Sequence, residues 1–525
     1  MTSCAFGGGG RGRWRLRRRE PILVTDSPPS ASTTRRACRL VESQVGDLVI
    51  FCRARIALCM TTDMCRTLFG VLEVLRPALT RPGFFNMLIV FSGWVLTSGT
   101  HAITQALVAA NVAGRCHHET FHRFFSRGAW CSDELGKLLL LGLLKLMTSQ
   151  AAVRVVIDDT VAPHKGPHVF GIGSHIDAVR STKKTKIFTF GHCWVVLAVL
   201  VPVPFSPRYW ALPILSRLCR NEKECIKNKE PHRKKTELAR DMLDKLVQWL
   251  GERKIEVAAD EAFSNCTVME ELPPSVTLFG AMRPDAVLTS PPPPRAKHAN
   301  GRPRVRGDRM PKPKELAGDD GTSWKQITMV LYGKTRTIHY KMLNAQWYRA
   351  AGAKLLRIIV VRCDSGSIPY RVFFSTDPLV TVEYLLTGYG WRWSIEVCFR
   401  ELKQLLGFGD SSSRKRAAVE RITPFVALTY SILVLWAWTS TSRRPTARGR
   451  LLSLKARALS LFTALLPVRP WYRQKKHLSF ADILRAAQHT LSTRDVLDLA
   501  RSFANLHEPP AATSTSSMRL FRSTG

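Results

Sequence analysis

Four polar residues, Tyr389, Arg392, Glu396 and Lys403, recur in the segment YGWRWSIEVCFRELK (389–403). At about 100° per residue of α-helix they fall within about 60° of one another, on one stripe. The neighbouring arc carries Trp391, Ile395, Cys398, Phe399, Leu402, Leu405 and Leu406, the pattern of a helix lying on a core. A carboxylate flanked by two cations and a phenol, at the rim of a buried face, is suited to handling phosphate beside a metal ligand. Taken alone, Arg392 and Glu396 also fit an ordinary exposed pair four residues apart, contributing a few tenths of a kcal/mol. Two other segments offer carboxylates. AVRVVIDDT (152–160) is a β-branched run closing on Asp158 and Asp159, and KIEVAADEAF (254–263) is a short strand closing on Asp260, with Glu261 next. Neighbours on a strand point to opposite faces, so only one of Asp158 and Asp159 can serve a given site.

The elements that must position these groups follow from periodicity. GHCWVVLAVLVPVPF (191–205) and RYWALPILSRL (208–218) read as strands, and HRKKTELARDMLDKLVQWL (232–250) as a basic amphipathic helix. Strand, strand, strand, helix, strand ending in Asp260 is the ribonuclease H order, in which the first and fourth strands lie side by side. The expected fold class is therefore α/β: a ribonuclease H-like mixed sheet with an inserted β-rich subdomain, preceded by a helical N-terminal region. The divisions are 1–60, a basic extension read either as a disordered DNA-binding arm or as residues outside the functional protein; 61–150, helical; 151–260, first part of the core; 261–365, basic loop and insertion; 366–440, second part of the core; and 441–525, basic and helical. Within 61–150, Arg115, His118, His122, Arg123 and Arg127 suit either a helix-turn-helix-like DNA contact or a supporting bundle. The stretch 291–314 carries eight Lys or Arg against one Asp, and reads as an extended loop along DNA or as a solvated linker.

The spacing Y-x2-R-x3-E-x6-K resembles the signature of bacterial insertion-sequence transposases with an Asp-Asp-Glu triad, and all four of its positions are matched. The resemblance covers roughly 64–440. It implies that Glu396 is catalytic, that Asp159, preceding Thr160, is the first aspartate, with Asp158 as second choice, and that Asp260 is the second. It implies DNA cleavage at transposon ends and strand transfer into target DNA. Tyr389, Arg392 and Lys403 would position phosphates, and Trp393 would stack on an unpaired base. Three carboxylates converging at a sheet edge suit two divalent ions roughly 3.5–4 Å apart. Oxygen donors favour Mg²⁺, with Mn²⁺ as substitute.

Composition agrees in kind. Lys and Arg number 78 against 40 Asp and Glu, a net charge of +38, as expected of a protein gripping many phosphates. The expected partners are double-stranded DNA, as terminal inverted repeats and target, and a second copy of the chain in a synaptic dimer; a cytoplasmic, nucleoid-associated location goes with them. Apolar runs such as 424–438 fall short of the ~20 residues of a bilayer helix and read as core. Cys116, His117, His118 and His122 lack a partner cluster for tetrahedral zinc. No Walker or dinucleotide motif calls for a nucleotide cofactor. Two alternatives accompany this reading: a nuclease of the same fold that cuts without joining, and an inactive DNA-binding remnant.

Overall fold

The apolar run Phe188–Val201 is one strand, buried at every position from Gly191 onward. Continuous apolar text of this kind marks a strand inside a sheet covered on both sides. The computed structural model describes residues 63–147, 152–166, 168–177, 180–182, 184–295, 301–331, 333–362, 369–442, 454–463 and 475–505. The expected extension 1–60, the basic stretch just after 442 and the tail beyond 505 lie outside the described residues.

In chain order, helical residues 63–72 and a 3-10 helix (Glu73–Ala78) come first, followed by four helices: α1 (Arg81–Leu96), α2 (Ile103–Ala109), α3 (His118–Ser126) and α4 (Ser132–Leu146). Thr80 caps α1, accepting the Gly83 N–H at 3.2 Å. Then follow β1 (Ala152–Pro163), β2 (Gly173–Ile176), β3 (Phe188–Val201), β4 (Trp210–Cys219), α5 (Lys235–Leu250), β5 (Lys254–Ala259) and β6 (Val276–Ala281). The next strands are β7 (Leu288–Thr289), β8 (Arg309–Met310), β9 (Lys325–Leu331), β10 (Lys334–Gln346), β11 (Leu355–Arg362) and β12 (Tyr370–Ser375). The chain closes with α6 (Val382–Gly390), α7 (Trp393–Leu405), α8 (Arg416–Ser442), α9 (Leu454–Thr463), α10 (Phe480–Ser492) and α11 (Val496–Asn505).

Among the described residues twelve strands form one sheet, ordered β2-β3-β1-β5-β6-β12-β11-β10-β7-β8, with β4 also on β3 and β9 on β10. β1 is antiparallel to β3 and parallel to β5, which is parallel to β6. The β4-to-β5 crossover is α5, whose buried Leu238, Ala239, Met242, Leu243 and Leu246 form one stripe against the sheet. Each of the leucine and methionine side chains contributes about 1.5–3 kcal/mol on burial. Gly251, at φ 61°, ends the helix in a conformation that favours glycine. On the opposite face, α7 crosses β1 and β4.

Two expectations need correction. The strands of 261–365 do not form a separate body: β12 pairs with β6, and β11 and β10 continue the same sheet outward. The run 424–438 is core, as expected, but it belongs to a helix of 27 residues, long and apolar enough to cross a membrane, with 94% of its apolar window buried inside the fold. Pro424 lies within that helix.

Candidate active site

β1 and β5 are in register up to Ile157 opposite Ala259. The next residues, Asp158 and Asp260, therefore continue one row on one face. β5 stops there because Asp260 turns to cap a 3-10 turn, its Oδ1 accepting the Glu261 N–H at 2.6 Å. β1 does not end at its aspartates as expected. It runs on to Pro163 because β3 keeps pairing with it, Asp158 opposite Val196 and Pro163 opposite Gly191.

Below the carboxylates, the same face carries a polar cluster. Arg154 Nε donates to Glu256 Oε2 at 3.0 Å, and Nη1 to the Tyr209 hydroxyl at 2.6 Å. The Tyr384 hydroxyl donates to Glu256 Oε1 at 2.7 Å, and the Arg154 guanidinium lies 4.7 Å from the centre of the buried Trp391 ring. These contacts fasten the α6–α7 joint to β1 and β5. Nothing in the periodicity pointed to them; charged residues inside otherwise apolar strand text were the available signal.

That joint also corrects the single helix expected over 389–403. α6 ends at Gly390, and α7 begins after Arg392. Trp391 and Arg392 keep right-handed backbone angles but are held by tighter bonds, Arg392 N–H to Tyr389 O at 3.1 Å and Ile395 N–H to Arg392 O at 3.1 Å. Arg392 and Glu396 remain one turn apart, while Tyr389 belongs to the preceding helix, its ring 4.6 Å from that of Phe373.

The centre of the site is Arg392. Its Nη1 donates to Asp158 Oδ2 at 3.0 Å and its Nη2 to Glu396 Oε1 at 2.5 Å. Burial opposes the guanidinium charge, but Asp158, Tyr389, Glu396 and Asp260 together raise its pKa. Burial pushes the Asp158 carboxyl up to about 6, against the lowering pull of Arg392 and of the Asp159 N–H; the charges of Asp159 and Asp260 add to the rise. Asp158, Asp260 and Glu396 thus share one electrostatic environment.

Asp159 stands apart from them. Its side chain is on the other face of β1, where Oδ2 accepts from Lys235 Nζ at 2.6 Å and from Cys193 Sγ at 3.6 Å. The structure brings Asp158, not Asp159, together with Arg392 and Glu396. Strand alternation makes the two exclusive, and the landing position of α7 selects the face. Lys403 lies about two turns beyond Glu396 with its side chain reaching solvent; partial burial lowers its pKa, against the charges of Asp177, Cys193 and Asp159. Trp393, at the start of α7, is 55% exposed.

Among the described residues, no group of three His, Cys, Asp or Glu is gathered closely enough to hold an ion. The donor set is nonetheless the right chemistry for a hard divalent cation. The Arg392 guanidinium, bridging Asp158 and Glu396, puts positive charge between two of the three carboxylates.

In the helical region, Arg115 pairs with Asp495 at 2.5 Å and Arg123 with Glu119 at 3.0 Å. His118 and His122 face Arg414 and Lys415 across an open cleft of about 440 Å³. Of the basic stretch 291–314, residues 301–306 are exposed.

Comparison with known proteins gives three findings. Residues 75–350, just over half of the chain, match the DDE superfamily endonuclease family. Residues 349–442 match the archaeal ISC1217-type transposase family. A solved structure of a piggyBac transposase synaptic complex with hairpin DNA is similar at 8% identity over 75% of this chain and 74% of that one, with a TM-score of 0.34, too loose an overlay to place any residue. No curated protein matches.

Proposed function

The chain belongs to the DDE superfamily endonuclease family, and from that premise we propose that it is a DNA transposase whose triad is Asp158, Asp260 and Glu396 on a ribonuclease H-like core. The observation that carries this is the Arg392 bridge between Asp158 and Glu396, beside Asp260, where the parallel pairing of β1 and β5 stops. The three carboxylates would hold two divalent ions, Mg²⁺ with Mn²⁺ as substitute. Such ions supply activation of a water or a DNA 3′-hydroxyl for in-line attack and stabilisation of the leaving oxygen.

The remaining roles belong to the chain's own groups. Arg392 neutralises Asp158 and Glu396, and with a cation held by those carboxylates its fork of donors would be free for a DNA phosphate. Tyr389 and Lys403 fix the path of the backbone on either side of that point. Trp393 offers an exposed ring to a base unstacked at the cleaved end. The net charge of +38 supports a long DNA footprint, and joining two ends to one target supports a dimer as the working assembly.

The test is an end-processing reaction. Full-length protein and Mg²⁺ are mixed with duplexes carrying the DNA that flanks the gene, and nicked and joined products are resolved on a denaturing gel. The proposal expects both products. Cutting without joining would replace it with a nuclease of the same fold, and binding without either would leave a DNA-binding remnant.

A further inference from the structure

The end of the sheet beyond α7 leaves an aromatic face uncovered. β2 and the start of β3 form a short ribbon, Ile176 opposite Phe188 and Ser174 opposite Phe190. Directly opposed residues share a face, so Ile176, Phe188 and Phe190 lie together. They are 48%, 59% and 50% exposed, whereas Thr189, on the other face, is buried.

By strand alternation, Phe188 and Phe190 share a face with Val196, which is opposite Asp158. The six residue steps from Val196 to Phe190 span about 20 Å of strand. That is about six nucleotides of stacked duplex at roughly 3.4 Å each, and fewer of an extended single strand. Around the ribbon, Lys165, Lys184 and Lys186 are exposed, and none of the three forms an ion pair among the described residues.

Exposed rings beside unneutralised lysines, on the carboxylates' own face, are what unpaired nucleotides require: flat surfaces for bases and charge for the backbone. Paired bases would present no ring face to Phe188 or Phe190, and an apolar protein partner would strand the lysines.

Resting on the reading of Asp158, Asp260 and Glu396 as the cutting site, we propose that the β2–β3 ribbon binds a single-stranded segment of the DNA end, a few nucleotides from the scissile position. Phe188 and Phe190 stack on bases, and Lys184 and Lys186 hold the phosphates.

The test uses full-length protein in EDTA, so that no cleavage intervenes. One probe is a duplex with a single-stranded extension of about eight nucleotides, within the usual footprint of such surfaces, carrying 2-aminopurine at successive positions. The other is the blunt duplex. Emission should change most at positions inside the extension, a few nucleotides from the junction, and least within the duplex. Phe188→Ala/Phe190→Ala should abolish that change and weaken the extended duplex about tenfold, leaving the blunt duplex alone. Phe188→Tyr/Phe190→Tyr, which keeps the rings, should behave as the parent. Lys184→Ala/Lys186→Ala should weaken the extended duplex and reduce its salt slope by about 1.4, leaving the blunt duplex unchanged.

Unchanged affinity for the extended duplex in the alanine pair would overturn the proposal. So would variants that alter only self-association in sedimentation, which would give this face to a second copy of the chain. Failure to cut with Mg²⁺ strikes the triad and leaves this binding result standing; loss of the ribbon effect does the reverse.

Discussion

Arg392, at the start of α7, donates to Asp158, in β1, at 3.0 Å across 234 residues of sequence. That one bond brings the helix carrying Glu396 to the strand carrying the first aspartate, and it decides which of two adjacent carboxylates faces the site.

Removing the bridge should cost stability only where nothing replaces its charge. In Arg392→Ala, Asp158, Asp260 and Glu396 repel one another in a half-buried site. Without metal, stability should fall by about 1–3 kcal/mol. Mg²⁺ should restore part of the loss and raise the variant's Tm more than the parent's. Equal Mg²⁺ shifts in the two proteins would show that Arg392 and the cation do not share a place.

The cluster beneath the site should behave as a buried pair. Glu256→Ala leaves Arg154 uncompensated and should destabilise by about 3 kcal/mol, whereas Arg154→Met/Glu256→Leu should recover most of that. Urea unfolding of Arg154→Met, Glu256→Leu and the double variant measures the coupling. Simple additivity would mean that the pair does not hold the α6–α7 joint.

Acid should act through His192. Burial holds this imidazole down, from its ordinary 6.5 to about 4, with His164 and His175 pushing the same way against its bond to the Phe170 carbonyl. The unfolded chain takes up the proton near pH 6.5, and the fold resists until about 4. The contribution is therefore complete above pH 6.5 and is lost as pH falls through that window, by up to about 3 kcal/mol. His192→Gln should lose less stability than the parent between pH 7 and 4, as followed by thermal melts; parallel curves would contradict the assignment.

Trp393→Ala should separate binding from stability. The ring is 55% exposed, so its removal should change stability by less than about 0.5 kcal/mol. Affinity for a nicked or frayed DNA end should fall, by anisotropy, while affinity for intact duplex holds. A large loss of Tm instead would make the ring a packing residue.

Glu396 was legible in the sequence because a helix writes its faces every three to four residues, and the tightened joint at Trp391 and Arg392 leaves that pattern nearly intact. The joint itself was hidden. Its cause is tertiary: at Gly388 a Cβ would come within 3.0 Å of the Phe279 ring, so α6 presses on the sheet before the chain turns into α7. Asp260 was legible as the end of a short strand. Asp158 and Asp159 were not separable, since a strand offers both faces equally until a helix covers one. The extent of the sheet was also hidden, because the strand text of β9 to β11 is the same whether those strands stand alone or extend β12.

The central claim is that Asp158, and not its neighbour, belongs to the triad. The most direct measurement is Mg²⁺-dependent cleavage of end DNA by Asp158→Asn and Asp159→Asn side by side, with DNA binding and Tm recorded for each. Asp158→Asn should bind DNA and keep its fold while losing at least about 10³-fold in cleavage, as when a group central to transition-state stabilisation is removed. Asp159→Asn should lose stability through Lys235 and still cut. Cleavage surviving in Asp158→Asn and vanishing in a folded Asp159→Asn would contradict the account.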